Sequence, residues 1–186
     1  MEHVRDACIL RLTSEDGTNR LSCARVLALT SAIRDLSKEQ RRLVIAGNRK
    51  FFSAGAELAE IVSLSGPQAY EFSRLGQELM NAISDFPGRV FAAVEGYCMG
   101  GGLDLALACH WRIASQHAVF GHRGAALGLI TGWGGTQRLP RLIGKTKALE
   151  MFVAAEKIHA LEALRIGLVD GLSADPVDAA IRYPIE

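Results

Sequence analysis

The residues best equipped for chemistry lie together in the run Gly96-Tyr97-Cys98-Met99-Gly100-Gly101-Gly102-Leu103-Asp104, which continues as the apolar stretch Leu105 to Cys109. Glycines let a backbone turn sharply and let another group approach closely, because no Cβ stands in the way. The first amides of a helix lack intrahelical partners, and the helix dipole adds partial positive charge there. Glycines at the mouth of a helix therefore suit a developing negative charge on oxygen, and Asp104, a turn further in, suits a proton transfer beside it. A second loop, Phe51-Phe52-Ser53-Ala54-Gly55-Ala56-Glu57-Leu58, joins an apolar strand to a helix. Alone it reads as a tight connection. Beside the triglycine run it offers the second amide donor that an oxyanion site takes from another part of the chain.

The elements that must hold these loops can be read from periodicity. Ile9 to Leu12 is a short strand turned by Glu15-Asp16-Gly17. Ser22 caps a helix to about Leu36, with Val26, Leu29, Ile33 and Leu36 at helical spacing. Leu43 to Ala46 is a buried strand closed by Gly47-Asn48, and Pro67 opens a second long helix with Tyr70, Leu75, Leu79 and Ile83 on one side. Phe86-Pro87-Gly88 ends it, Val90 to Val94 is a further buried strand, and Leu103 to Cys109 is helical. Arg112 to Ala114 and Val119-Phe120 are short strands. Helices follow over Gly134 to Leu142, where Pro140 predicts a kink or break, then Thr146 to Ala155 and Ala160 to Ile166. Leu168-Val169 is a last extended piece, and a short tail without another long amphipathic helix follows Asp175-Pro176. Strands alternating with helices argue for an α/β fold.

Composition narrows the setting. With 186 residues, 49% of them hydrophobic, the chain can bury one core and is expected to form one domain over residues 1–186. Lys and Arg total 21 against 20 Asp and Glu, a net charge of +1. The most basic stretch, Lys38 to Arg42, reads as the solvated end of a helix, so nucleic acid is a poor partner. Cys8, Cys23, Cys98 and Cys109 lie far apart without metal-ligand spacing and read as free, buried thiols, so no metal site is expected. Neither a signal peptide nor a membrane-spanning stretch stands out, and a cytoplasmic location is expected.

Two phosphate-loop matches fail on spacing. Gly144-Lys145-Thr146 has Leu139 where a P-loop needs its first glycine, and reads as a capped helix. Gly100-Gly101-Gly102 does not supply the dinucleotide fingerprint.

Four motifs in order resemble the crotonase superfamily, the enoyl-CoA hydratase/isomerase family, over roughly Ile9 to Gly171. They are Phe52 to Leu58, Gly96 to Ala106, Gly128 to Pro140 (GLITGWGGTQRLP), and Ala160 to Val169 (ALEALRIGLV). The resemblance implies a ββα spiral with flanking helices and a coenzyme A thioester as substrate, with no separate cofactor. It places the amides of Ala56 and Gly101 on the thioester oxygen as it becomes an enolate, and Asp104 as the proton-transfer group. It also runs Ala54, Gly55 and Leu58 along the CoA moiety. Tyr97, Gly100, His122 and Trp133 become further substrate-binding candidates, and Asn19-Arg20-Leu21 lies near the same ligand.

The chain departs from the family pattern in ways that bear on chemistry. Hydratases of the family use two glutamates. Asp104 falls at the first position and Gly124 at the second, while Gly132 and Trp133 fill the stretch where some isomerases carry their single acid. His122 is either a solvated or structural histidine or a substitute for the missing acid. Arg123 is expected to pair with Asp104, Trp133 is a wall of the acyl pocket or a core residue, and His110 replaces a usual Asp as a surface or capping change. The family's first N-terminal strand and its later helices are expected to be absent, which weakens the trimer or hexamer that the resemblance implies. Two readings follow: an enzyme of fatty-acid or related acyl-CoA metabolism working through an enolate, with isomerisation easier to defend than hydration, or a non-catalytic acyl-CoA-binding or assembly subunit that keeps the fold.

Overall fold

The computed structural model describes residues 2–4, 6–39 and 41–184. Its elements in chain order are β1 (Glu2–Val4), β2 (Ala7–Arg11), α1 (Cys23–Leu36), β3 (Arg42–Ala46), β4 (Phe51–Ser53), α2 (Leu58–Val62), α3 (Gly66–Ser84), β5 (Val90–Val94) and β6 (Tyr97–Met99). They continue as α4 (Gly101–Ala108), β7 (Trp111–Ala114), β8 (Val119–Gly121), α5 (Gly135–Ile143), α6 (Lys145–Ala154), β9 (Lys157–His159), α7 (Ala160–Arg165), β10 (Gly171–Leu172) and α8 (Pro176–Arg182). A six-stranded sheet runs β1-β2-β3-β5-β7-β10, parallel except for β1, and a four-stranded sheet runs β4-β6-β8-β9, parallel except for β9. Each of the pairs β3–β4, β5–β6 and β7–β8 sends its first strand to the large sheet and its second to the small one before the chain turns into helix. These are three turns of a ββα spiral, as the family resemblance implies.

The large sheet explains its own apolar runs. Leu43, Ile45, Val90, Ala92 and Val94 face the main core, which α1, α3 and α4 complete, while Val44, Ala46, Phe91 and Ala93 face the other way onto Ala180 and Ile181 of α8. Strands covered on both faces read as continuous hydrophobic stretches rather than alternating ones. The helix starts follow their chemistry. Ser22 Oγ accepts from the Arg25 amide, and the Ser65 amide donates to Gln68 Oε1 (2.8 Å) ahead of Pro67.

Several expectations are corrected. A strand does precede Ile9, because β1 pairs antiparallel with β2. The last extended piece lies at Gly171–Leu172, where it pairs with β7, rather than at Leu168-Val169, which bend with their side chains in the core. Tyr70 is exposed, since five residues separate it from Leu75 and a helix turns them to different faces. Pro140 does not break α5, which runs on to Ile143 and ends at Gly144 in the left-hand half of φ space (φ 85). The basic stretch 38–42 is only partly solvated: Gln40 lies outside the described residues, and Arg42 is buried at the start of β3. Its Nη1 donates to the carbonyls of Ala180 and Ile181, closing the end of α8, and its guanidinium lies over the Phe91 ring. Cys8, Cys98 and Cys109 are buried free thiols, and Cys23 is half-buried. His110 ties α3 to β5: its Nδ1 accepts from the Val90 amide (2.9 Å) and its Nε2 meets the Ser84 carbonyl (3.2 Å).

Candidate active site

The small sheet delivers both glycine-bearing loops to one cleft. β4 and β6 lie side by side, so the residues that follow them, Ala54–Ala56 and Gly100–Gly101, leave the sheet together. Gly100 enters α4 with φ 52, a conformation that L side chains resist. A Cβ on Gly101 would stand 3.3 Å from the Ala56 nitrogen and 2.5 Å from the Trp133 ring, so only glycine lets these three groups meet. Leu21 bridges Ala56 in parallel: the Leu21 amide donates to the Gly55 carbonyl (2.8 Å) and the Glu57 amide to the Leu21 carbonyl (3.2 Å). In a parallel bridge those flanking groups make the bonds, which turns the amide of Ala56 itself away from Leu21. Among the described residues neither the Ala56 nor the Gly101 N–H has a hydrogen-bond partner, and both residues line the cleft. Asn19 braces this wall from behind. It is buried at φ 54, and its Nδ2 donates to the carbonyls of Phe51 (3.0 Å) and Phe52 (3.2 Å).

Asp104 gives the same cleft a side-chain wall. One turn into α4, it is 1% exposed, and its two oxygens are both engaged. Oδ1 lies 2.9 Å from His122 Nε2, and Oδ2 accepts from the Thr131 hydroxyl. Gly135, at the start of α5, has no Cβ because one there would overlap Asp104 Oδ1 and crowd His122 and Thr131. The expected pairing with Arg123 does not form: that side chain is exposed, and the buried oxygens of Asp104 are filled from β8 and from the loop before α5. His122 is thus not solvated. It is 4% exposed, with Phe152 of α6 against its ring (centroids 5.2 Å apart). Arg138 on α5 is a half-buried cation whose charge interacts with that of Asp104. Burial holds its pKa below the ordinary arginine value, opposed by the negative charge of Asp104.

The cleft between the walls encloses about 300 Å³ and brings together Ala54, Gly55, Ala56, Leu58, Gly100, Gly101, Asp104, His122 and Trp133. Tyr97 is not among its lining residues. It points across the small sheet, its ring tilted against Phe51 and under the Lys157 ammonium. Trp133 is both core and wall: 3% exposed, it donates from Nε1 to the Phe72 carbonyl (3.1 Å) and fits against α3 where Gly76 leaves room for the indole. Gly124 also lines the cleft, but a Cβ there would lie 2.7 Å from the Leu129 carbonyl, so the backbone closes over the position of the second acid. Thr131 and Phe72 are among the lining residues that sequence reasoning did not single out. Thr131 stood inside a recognised motif, yet nothing in the spacing tells that its hydroxyl reaches a carboxylate on another helix. Among the described residues no three His, Cys, Asp or Glu side chains converge as a metal site, and no helix is long and apolar enough to cross a membrane.

Comparison with known proteins agrees with this architecture. Residues 5–182 match the family model described as enoyl-CoA hydratase/isomerase. A Bacillus subtilis (strain 168) protein named "Probable enoyl-CoA hydratase" is 47% identical over 130 residues, which are 69% of this chain and 50% of that protein. The crotonyl-CoA hydratase of Syntrophomonas wolfei is 38% identical over 173 residues, 91% of this chain and 66% of the relative. This chain therefore spans between half and about two thirds of the curated relatives it matches. The solved structure of Pseudomonas aeruginosa DspI superposes with a TM-score of 0.92 at 36% identity, over 97% of this chain and 70% of that one. With the glycine loops, the buried carboxylate and the ββα spiral in agreement with a family match along nearly its whole length, the chain belongs to the enoyl-CoA hydratase/isomerase family, with the crotonase fold.

Proposed function

We propose that this protein acts on an acyl- or enoyl-CoA thioester through its enolate, as part of fatty-acid or related acyl-CoA metabolism. The observation that carries the reading is the pair of unpartnered amides at Ala56 and Gly101 in the same cleft as the buried carboxylate of Asp104. Two converging N–H groups stabilise the oxygen of a thioester as charge develops on it, each contributing about 3 kcal/mol in the transition state. Asp104 is the carboxylate around which the proton moves, and Ala54, Gly55 and Leu58 lie where the CoA moiety enters. The names of the relatives support the same chemistry.

Gly124 favours a second reading, an acyl-CoA-binding subunit without turnover, because the position of the second acid is closed by backbone as well as lacking a side chain. The two readings separate in one experiment. The purified protein is offered a panel of saturated, 2-enoyl and 3-enoyl CoA thioesters, and both binding and conversion are followed. Conversion of an enoyl-CoA is the expected result. Binding across the panel with no conversion selects the subunit reading, and no binding removes both.

A further inference from the structure

Gly124 leaves the site one proton-transfer group short, and the structure places another ionisable side chain beside Asp104. His122 follows β8 directly, and its ring lines the cleft at 4% exposure with Nε2 held 2.9 Å from Asp104 Oδ1. The other oxygen of Asp104 accepts the Thr131 hydroxyl proton. A carboxylate that takes two donors in a buried site acts as an acceptor, so the ring proton of His122 belongs on Nε2 and the lone pair on Nδ1. Nδ1 has no hydrogen-bond partner among the described residues. It is not a sealed orphan either, since Arg42 Nε is the one polar side-chain atom there that is both buried and unpaired. The second ring nitrogen is thus unpartnered and unsealed in a side chain that lines the cleft, while both oxygens of the carboxylate are engaged.

We propose that His122 is the group that exchanges the proton with the substrate, and that Asp104 and Thr131 are positioning residues that fix its tautomer and the orientation of its ring. The proposal rests on the enolate reading above and deepens it, because one shuttling base is sufficient for water addition as well as for isomerisation. In the addition, Nδ1 takes a proton from water as the water oxygen bonds to the β-carbon. The π electrons move towards the thioester carbonyl, whose oxygen becomes the enolate held by the amides of Ala56 and Gly101. The imidazolium, paired with the Asp104 carboxylate, then returns its proton to the α-carbon and the enolate collapses. One O–H bond and one π bond are lost, one C–O and one C–H bond are gained, and the base is regenerated. In an isomerisation the same nitrogen takes a proton from one carbon and returns it to another.

The charged groups around the ring come from each element packed on it. Asp104 lies on α4, Arg123 is adjacent in the chain, Arg138 lies on α5 and acts through Asp104, and Lys145 of α6 lines the neighbouring cavity with His122. All of them bear on the pH profile, so the test substitutes the ring alone. In His122→Gln the side-chain amide keeps an N–H for Asp104 and removes the basic nitrogen. The full-length protein and this variant are compared for crotonyl-CoA turnover against pH, and for exchange of the α-protons of butyryl-CoA in D2O by NMR. We expect kcat and the exchange rate both to fall at least about a hundredfold, KM to hold within about threefold, and the acid limb of the profile to disappear. Asp104→Asn, which leaves the ring in place, should also lose turnover while keeping thioester affinity. Retention of kcat, exchange and the acid limb in His122→Gln overturns the proposal and leaves His122 structural. Loss of turnover with exchange retained also overturns it, because the carboxylate is then the base. A wild-type protein that neither converts nor exchanges any thioester removes the enolate reading itself, and this proposal with it.

Discussion

The two walls of the cleft are made from different parts of a polypeptide's chemistry. The wall at Ala56 and Gly101 is backbone. Its donors are amides, its shape is set by two strands lying side by side, and side chains enter only as bulk to be avoided. The wall at Asp104 is made of side chains brought from three places in the chain, α4, the residue after β8 and the loop before α5, with every polar contact depending on a particular atom. A backbone wall tolerates almost any side chain that leaves the amides in place. A side-chain wall tolerates very few, because each buried polar atom relies on its partner. The two should therefore fail in different ways when altered, one through packing and the other through chemistry.

The largest effect is expected at the side-chain wall. Asp104→Ala removes the acceptor for both His122 and Thr131, and should lower kcat at least about a hundredfold, because the proton-transferring ring loses the partner that fixes it. Because the substitution leaves the amides of Ala56 and Gly101 in place, thioester binding measured by calorimetry should persist. A loss of affinity as large as the loss of kcat would mean that the two walls are not separable.

Gly101→Ala attacks the other wall by bulk. The new methyl would press on the Trp133 ring at 2.5 Å and on the Ala56 nitrogen at 3.3 Å. Overpacking of this kind costs about 1–3 kcal/mol of stability, so the thermal midpoint should drop and activity with it. Trimming the ring in the double variant Gly101→Ala/Trp133→Leu should restore part of the stability relative to the sum of the single changes. Strict additivity would show that the contact does not matter.

Thr131 tests how finely the side-chain wall is set. Thr131→Val keeps the shape and removes the hydroxyl, leaving Asp104 Oδ2 without its donor. About a tenfold loss in kcat is expected, with a stability change near 1 kcal/mol. Thr131→Ser keeps the hydroxyl and should recover most of the rate. Equal losses in both variants would make the methyl group, not the hydrogen bond, the useful part.

The same contrast explains what could be read from sequence. Gly100 to Asp104 stand out because glycines at the mouth of an apolar helix carry their own local signal, whereas Ala56 is singled out through the family resemblance; α1 and α3 show a helical period, and β3 and β5 show as continuous apolar runs. The three-residue strands β4, β6 and β9 are shorter than any periodic pattern, although β4 and β6 are what bring the two loops together. The contacts among Asp104, His122 and Thr131 join residues 18 and 27 positions apart, and their geometry belongs to the fold rather than to spacing. Tyr97 illustrates the opposite error. Its place in the motif drew it to the cleft, but it opens β6 while the cleft begins at the other end of that strand, at Met99, and its ring tilts against Phe51 instead.

The smallest expected effect concerns a charge in the turn that supports the backbone wall. In the turn before α1, the Asp16 carboxylate accepts from the Thr18 amide (3.0 Å), the Thr18 hydroxyl (2.8 Å) and the Ser14 hydroxyl (2.8 Å). These bonds lower its pKa from the ordinary 3.8 to about 2. The same turn delivers the Thr18 carbonyl to the Ala54 amide (2.9 Å) and the Asn19 side chain to β4, so its order is transmitted to the loop that carries Ala56. A carboxyl whose pKa is depressed in the folded chain adds stability above its unfolded value, and that contribution is lost as pH falls from about 4 through about 2. Because Asp16 is solvent-exposed, screening keeps the effect slight. The thermal midpoints of wild type and Asp16→Asn should therefore differ a little near neutral pH and converge as the pH is lowered towards about 2. A gap that stays constant with pH would show that hydrogen-bond geometry alone holds the turn. The amide wall would then contain no ionisable support, and the division between a backbone wall and a titratable side-chain wall would be complete.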